Sequence, residues 1–499
     1  MTEVVSKGKS KGLPADKKPV SGGVIPAPDL FRAKAAGKRF ILTAAQNNTK
    51  VHKGFWQALQ KFAKKTKSQI MVSKISYNKN GWQKITADQA TLTDGEPMWY
   101  DPAVVPFIVN ESTQLAHGLV FSAELDILPT AVSPLTGLDN YTGNNSMIVP
   151  HTKMQLHSYA RMKGDDPRFG MTTGVVTLRN YIERRAGQLA SYHHVYGAMY
   201  VEIDESGDWF ARQIVAADDG SFFDLDRFVH PEHGCVSAFG KHAYAAGGRE
   251  RVLNLGDIHA EKLDEFAFRG AKDMMRVLRP THIAVHDLLD FESRNHHNVK
   301  DPFFLARMNG ITVEDDFRDA AMTLEEIGRE TNAHLLLVRS NHDMAFDRWL
   351  KEFDGTRDPD NAAFFHYHMW RRFSDPTFDN YEHALTSAAQ KLMIDTSKWV
   401  HIKEDDSYVI HGIELGVHGH LGPNGARGNP KSYRQLGRKL NTGHTHSASI
   451  IDGVWTAGVL ASLDMGYNKG PSSWSHASIL THQNGKRQMI VQRGSKWRA

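Results

Sequence analysis

The alternation of apolar and polar positions divides the chain into stretches of different style. "RFILTAAQ" predicts a strand, and "HKGFWQALQKFAKKT" an amphipathic helix with Phe55, Leu59 and Phe62 on one face. "SQIMVSKISY" predicts the next strand, so the order is β-α-β. From about 100 to 248 short strands and turns follow. They include "GVVTLRNY" and a hairpin in "GAMYVEIDESGDWFARQIVAAD", where "ESGD" supplies the glycine of the turn. Near residue 249 strands and helices begin to alternate. "RVLNLG", "THIAVH" and "AHLLLVRS" are strands; "AEKLDEFAFRGAKDMMRVL" and "DFRDAAMTLEEIGRETN" are helices. That alternation predicts a largely parallel sheet, whose sites form beyond the carboxyl ends of its strands. After about 398, "WVHIKED", "YVIHGIELGVHG", "GRKLNTG", "HSASIIDGVWTAG" and two last strands predict a mostly β half. No internal repeat is present. Residues 1 to 37 are Lys-, Gly-, Pro- and Ser-rich without a period, and are expected to be a disordered basic tail. The expected domains are therefore that tail, an α/β domain over 38–248, and a second domain over 249–499.

Composition narrows the class. A chain of 499 residues, 40% hydrophobic and 23% charged, is ordinary for a globular protein. No apolar run reaches the roughly 18 residues of a membrane span. The N-terminal lysines precede no apolar stretch, so no secretory signal is expected. Cys235 is the only cysteine, which excludes an internal disulfide and a thiolate metal cluster and fits a reducing cytoplasm. The net charge of +4 hides an asymmetry: residues 1–67 hold 15 Lys or Arg against 3 Asp or Glu, +12, which leaves −8 for the rest. "THQNGKRQMIVQRGSKWRA" adds five bases and no acid. Basic ends on a mildly acidic body suit a polyanion partner, although a solvated tail has the same composition.

The strand ends carry the chemistry. The first presents Asp257 and His259, the second Asp287 and Asp290, the third Asn341, His342 and Asp343. Two later ones present His418 with His420, and His444 with His446. A single aspartate at a strand end is ordinarily a helix cap, and a single histidine pair a surface accident. Carboxylate, imidazole and amide groups at successive strand ends are hard to obtain that way.

Asp-x-His, Asp-x-x-Asp, Asn-His-Asp, a later His and Gly-His-x-His, in that order, resemble the calcineurin-like metallophosphoesterase superfamily over about residues 250–499. The motifs are "GDIH", "GHTH" and "VHGHLGPNG". The family's glycines are replaced at His286 and Ser340, which flank ligand positions. The resemblance implies a β-sandwich flanked by helices that carries two divalent ions. Asp257, His259 and His446 would hold one, and Asn341, His418 and His444 the other. Asp287 would bridge them. The pair would activate a hydroxide for in-line attack on phosphorus. His342 would be the general acid, with Asp343 orienting it, and Asp290 would brace the site. His420 is assigned to substrate or to the outer shell. Arg294, His296, His297 and Lys300, in the loop after the Asp287 strand, are candidates for phosphate contacts, and Arg427 is a weaker one. In the N-terminal half, "ILTAAQNNTKVHKGF", "MTTGVVTLRNY" and "YHHVYGAMYVEID" resemble tailed-phage proteins in which such a domain precedes the same metallophosphoesterase. That group includes early-expressed nucleases implicated in degrading host DNA.

The leading expectation is a metal-dependent DNase acting in the cytoplasm of an infected bacterium, with DNA as partner and a homo-oligomer left open. The alternatives are a small-molecule phosphodiesterase or nucleotide phosphatase, and a DNA-transfer scaffold with a structural metal site. The sulfur-free ligand set admits Mn²⁺, Fe²⁺ or Zn²⁺, and Mn²⁺ is the ion expected.

Overall fold

The computed structural model describes residues 34–77, 98–295 and 301–499. The chain is mixed α/β with several mixed sheets. Among the described residues the strands form four sheets of four, three, six and ten strands.

The predicted β-α-β unit is present. Arg39–Gln46 pairs in parallel with Gln69–Ile75, and helix Lys53–Thr66 crosses between them. The helix begins where the His52 ring accepts the Phe55 amide, and it buries Phe55, Trp56, Leu59 and Phe62. The predicted hairpin, Gly197–Ile203 with Trp209–Val215, completes this sheet antiparallel. At its turn Asp204 Oδ1 accepts the amides of Ser206 and Asp208, and Gly207 takes φ 83°. A side chain with a Cβ rarely adopts that φ. Residues 34–37, placed by the sequence in the basic tail, belong to the folded body. Ala35 is buried in the core, and the Gly37 amide bonds to the Ile203 carbonyl. Residues 1–33 lie outside the described residues.

In the C-terminal half Val252–Asn254, His282–His286, His334–Val338 and Trp399–Ile402 run parallel, and Ala477–Thr481 and Arg487–Val491 extend the sheet antiparallel. The strands are buried on both faces, as their unbroken apolar runs require. Leu253, Ile283, Val285, Leu335 and Leu337 pack with Met274, Phe317, Leu324 and Leu385 of the covering helices. The alternate positions Val252, Ala284, Leu336, Val338 and Ile402 pack with Ile410, Ile413 and Leu415 of the ten-stranded sheet. Each such fully buried side chain is worth about 1.5–3 kcal/mol against exposure. The ten-stranded sheet joins sequence-distant strands: Ser449–Ile451 meets Leu156–Tyr159 through the pair Ile450 and Leu156. Among the described residues no helix is long and apolar enough to cross a membrane.

Candidate metal centre

The parallel strands end at one place, and the loops there are pulled tight. Asp257 follows the Val252–Asn254 strand; its amide bonds to Gly458 O and its own carbonyl accepts the Leu460 amide. The backbone passes so close at Gly256 that a Cβ would stand 2.7 Å from Val459 N. At Gly443 a Cβ would meet Asp257 Oδ1, so only glycine lets the "GHTH" loop close on that carboxylate. The His444 amide then donates to Asp257 Oδ2 at 2.7 Å.

Four of the candidate ligands, His259, Asp287, His444 and His446, have φ between 43° and 72°. A left-handed conformation at a residue other than glycine costs about 1–3 kcal/mol and persists where the surroundings enforce it, typically at functional sites. Here the strain turns side chains inward that an extended strand would direct elsewhere.

The result is a buried cluster. Asp257, His259, Asp287 and His446 each offer a ligand atom within a common 4.8 Å sphere of separations, and Asp287, His418 and His444 form a second such group that shares Asp287. His418 Nε2 lies 3.3 Å from Asp287 Oδ2 and 3.2 Å from Asn341 Oδ1. His446 Nε2 lies 3.2 Å from Asp257 Oδ2 and 3.1 Å from His259 Nε2. Two imidazole nitrogens that close must share a proton or a cation between their lone pairs. Both Asp287 carboxylate oxygens and Asp257 Oδ1 are buried without a hydrogen-bond partner among the described residues. Buried carboxylates carry such a cost only when a cation compensates it. The donor set of carboxylate, imidazole and amide oxygen fits divalent first-row ions, and the cluster could bind them.

The charges point the same way. Burial pushes the Asp287 carboxyl up, but His418 and His342 outweigh it and hold the group well below the usual carboxylate range. Burial pushes His418 down, yet the Asp287, Asp257 and Asp343 carboxylates raise it to about 9. His444 and His420 fall to about 4, first through burial and then through the His418 charge. In the absence of an ion, the surrounding carboxylates favour a proton on His418. A divalent ion would displace that proton, since imidazole ligates in its neutral form.

Other residues named from the sequence take varied places. Asp290 Oδ1 stands 3.2 Å from His259 Nδ1, and the Asp290 carbonyl 3.2 Å from His342 Nδ1. His342 is half-buried, its ring centroid 4.8 Å from that of His259. His420 lies beside His418, ring centroids 5.4 Å apart, with Nε2 3.7 Å from Glu404. Arg427 is exposed on the loop that the Gly428 amide ties to the His420 carbonyl. His296, His297 and Lys300 lie outside the described residues.

Two expectations are corrected. Asp343 does not orient His342. Its Oδ1 accepts the Leu289 amide and the Tyr381 hydroxyl, and its Oδ2 the Ser340 amide, while Ser340 Oγ accepts the Asp343 amide. It therefore braces the loops around the third strand end, and the polar partner of His342 is Asp290. Arg294 is buried and committed to Asp358, at 2.5 and 3.0 Å, so it has no free face for phosphate. Arg294→Ala should destabilise the fold by about 3 kcal/mol, because it leaves a buried carboxylate unpaired. Denaturant unfolding would measure this; a raised KM with unchanged stability would restore the phosphate role.

The sequence did not flag Glu261, Tyr381 or the state of His286. Glu261 accepts the Asp290 and Phe291 amides and so fixes the turn after the second strand. His286 is fully buried with neither ring nitrogen bonded among the described residues, and its ring centroid is 5.5 Å from that of His418. Its place before Asp287, where the family resemblance has glycine, was the only signal.

Fold and site thus define a mixed α/β protein with a buried Asp/His cluster that could bind metal ions. The chain is 39% identical over 509 aligned residues to Protein A1 of Escherichia phage T5, across 98% of this chain and 88% of that protein. It belongs to the same family as that phage protein. No family model matches the chain, and no solved structure matches it.

Proposed function

We propose that the protein is a metal-dependent nuclease that hydrolyses DNA phosphodiesters, built on a calcineurin-like metallophosphoesterase fold. The observation that carries this reading is the convergence of four separate strand ends on two ligand groups that share Asp287, with Asn341 of a fifth strand end 3.2 Å from His418. In this reading Asp257, His259 and His446 would hold one ion and Asn341, His418 and His444 the other. Two divalent ions bound there, Mn²⁺ by preference, would supply a water of lowered pKa and neutralise the phosphate.

The chain's own residues do the rest. The partner of His342 Nδ1 is a backbone carbonyl, which only accepts. Nδ1 therefore carries hydrogen, and Nε2 is the nitrogen free to hand a proton to the leaving oxygen. Asp290, its Oδ1 3.6 Å from the ring, stabilises the imidazolium that does so. Asp343, Ser340 and Tyr381 brace the loop at the third strand end that carries Asn341. The buried floor excludes bulk water and strengthens each of these interactions. The resemblance to early tailed-phage nucleases supports breakdown of host DNA in the cytoplasm of the infected cell as the setting.

Purified protein incubated with linear and circular duplex DNA is expected to degrade it with Mn²⁺ and to leave it intact with chelator. The rate on DNA should fall steeply with salt, and the rate on a small phosphodiester much less. Turnover of the small ester alone, with DNA untouched, would favour a small-molecule phosphodiesterase. No turnover of either would leave a scaffold.

A further inference from the structure

We propose that the protein has a second DNA-backbone site, a basic cleft at the end of the parallel sheet opposite the metal centre. The cleft, of about 630 Å³, lies where the two halves of the chain meet and is lined by Lys65, Arg227, Arg276, Arg279 and Arg498 with a single acid, Asp226. A smaller neighbouring cleft shares Lys65 and Arg227 and adds Lys67 and Arg39, the latter paired with Glu202 at 3.6 Å. Arg276 is paired with Asp273 and Glu330, and Arg498 lies 3.9 Å from Asp226. Lys65, Arg227 and Arg279 have no acidic partner within 4.0 Å among the described residues. Arg279 lies over the Phe239 ring, 5.1 Å from its centroid, and lines the cleft. Unpaired cations gathered from separate elements repel one another, and a polyanion relieves that repulsion.

Topology places the cleft. Arg276 and Arg279 stand where helix Glu265–Leu278 ends and the chain turns into strand His282–His286. That is the amino end of the strand, whereas Asp287 follows its carboxyl end. Five strand residues span roughly 17 Å, so no single phosphate reaches both sites. A polymer does. Arg39, which lines the smaller cleft, opens the first strand.

The inference takes its ligand, DNA, from the nuclease reading, but the two are separable. Binding of a fluorescent duplex to the full-length protein in chelator reports the cleft without catalysis. The variant Lys65→Gln/Arg227→Gln/Arg279→Gln should weaken binding and flatten the slope of log affinity against log salt by about 3, near 0.9 for each lost contact. It should still hydrolyse a small phosphodiester as the wild type does. Cys235, the one cysteine, lines the same cleft and reports on its occupancy. Duplex DNA should slow its maleimide labelling in the wild type, and inorganic phosphate should not. Unchanged affinity and slope in the variant, or labelling unaffected by bound DNA, would overturn the proposal. Equal protection by phosphate would overturn the polymer and leave a small-anion site. DNA that binds and protects Cys235 but is never cut would keep the cleft and sink the nuclease reading.

Discussion

Asp287→Asn is expected to lower DNA hydrolysis by on the order of 10³-fold or more while leaving the fold intact. Loss of several kcal/mol of charge stabilisation corresponds to such a factor. Asparagine is the informative substitution. It keeps the size of the side chain and tolerates the left-handed backbone at position 287, where φ is 43°. What it removes is the charge shared by both ligand groups. His418, now raised to about 9 largely by Asp287 against the pull of burial, should lose much of that elevation. Metal content, measured on the purified variant, should fall with activity. Two tightly held ions per chain in Asp287→Asn would refute the bridging role, and a fall in thermal stability without loss of metal would make the effect structural.

His342→Ala has the second largest expected effect, and it separates proton transfer from metal binding. The ring is half-buried at the edge of the cluster, its Nδ1 3.2 Å from the Asp290 carbonyl and 3.6 Å from Asp290 Oδ1, and it belongs to neither of the two ligand groups that share Asp287, so its removal should leave those groups in place. General acids contribute about 10²–10⁴-fold. A DNA 3′- or 5′-oxygen leaves poorly without a proton, whereas a nitrophenolate leaves readily. The variant should therefore lose about 10²–10⁴-fold on DNA and much less on a nitrophenyl phosphodiester, with metal content unchanged. Equal losses on both substrates would mean that His342 positions the phosphate. Loss of metal would mean that the ligands around Asn341 are assigned wrongly.

What was legible in the sequence was local. The strands at 252, 282 and 334 declare themselves by apolar runs ended by polar groups, and the inward turn of those groups follows from "GDIH" and "GHTH", whose glycines allow backbone to meet carboxylate. What was not legible depends on partners far along the chain. Asp343 sits beside His342 in sequence, which suggests an orienting role, yet its partner is Tyr381, on the distant helix Asn380–Lys391. Arg294 follows the Asp287 strand and looked available for phosphate, but Asp358, 64 positions away, takes it. The ten-stranded sheet is the same case on a larger scale. Leu156 meets Ile450 across 294 positions, and no period in either segment signals the other. The basic cleft, too, gathers residues 65, 227, 279 and 498, of which only the first and last fall in the basic ends that composition shows.

The central claim is that Asp287 joins two ions in one centre. Electron paramagnetic resonance of the Mn²⁺-loaded protein tests it most directly. Two ions held about 3.5–4 Å apart through a shared carboxylate should give an exchange-coupled spectrum at two equivalents of metal per chain. A simple six-line spectrum that saturates at one equivalent, or two ions without coupling, would contradict the account.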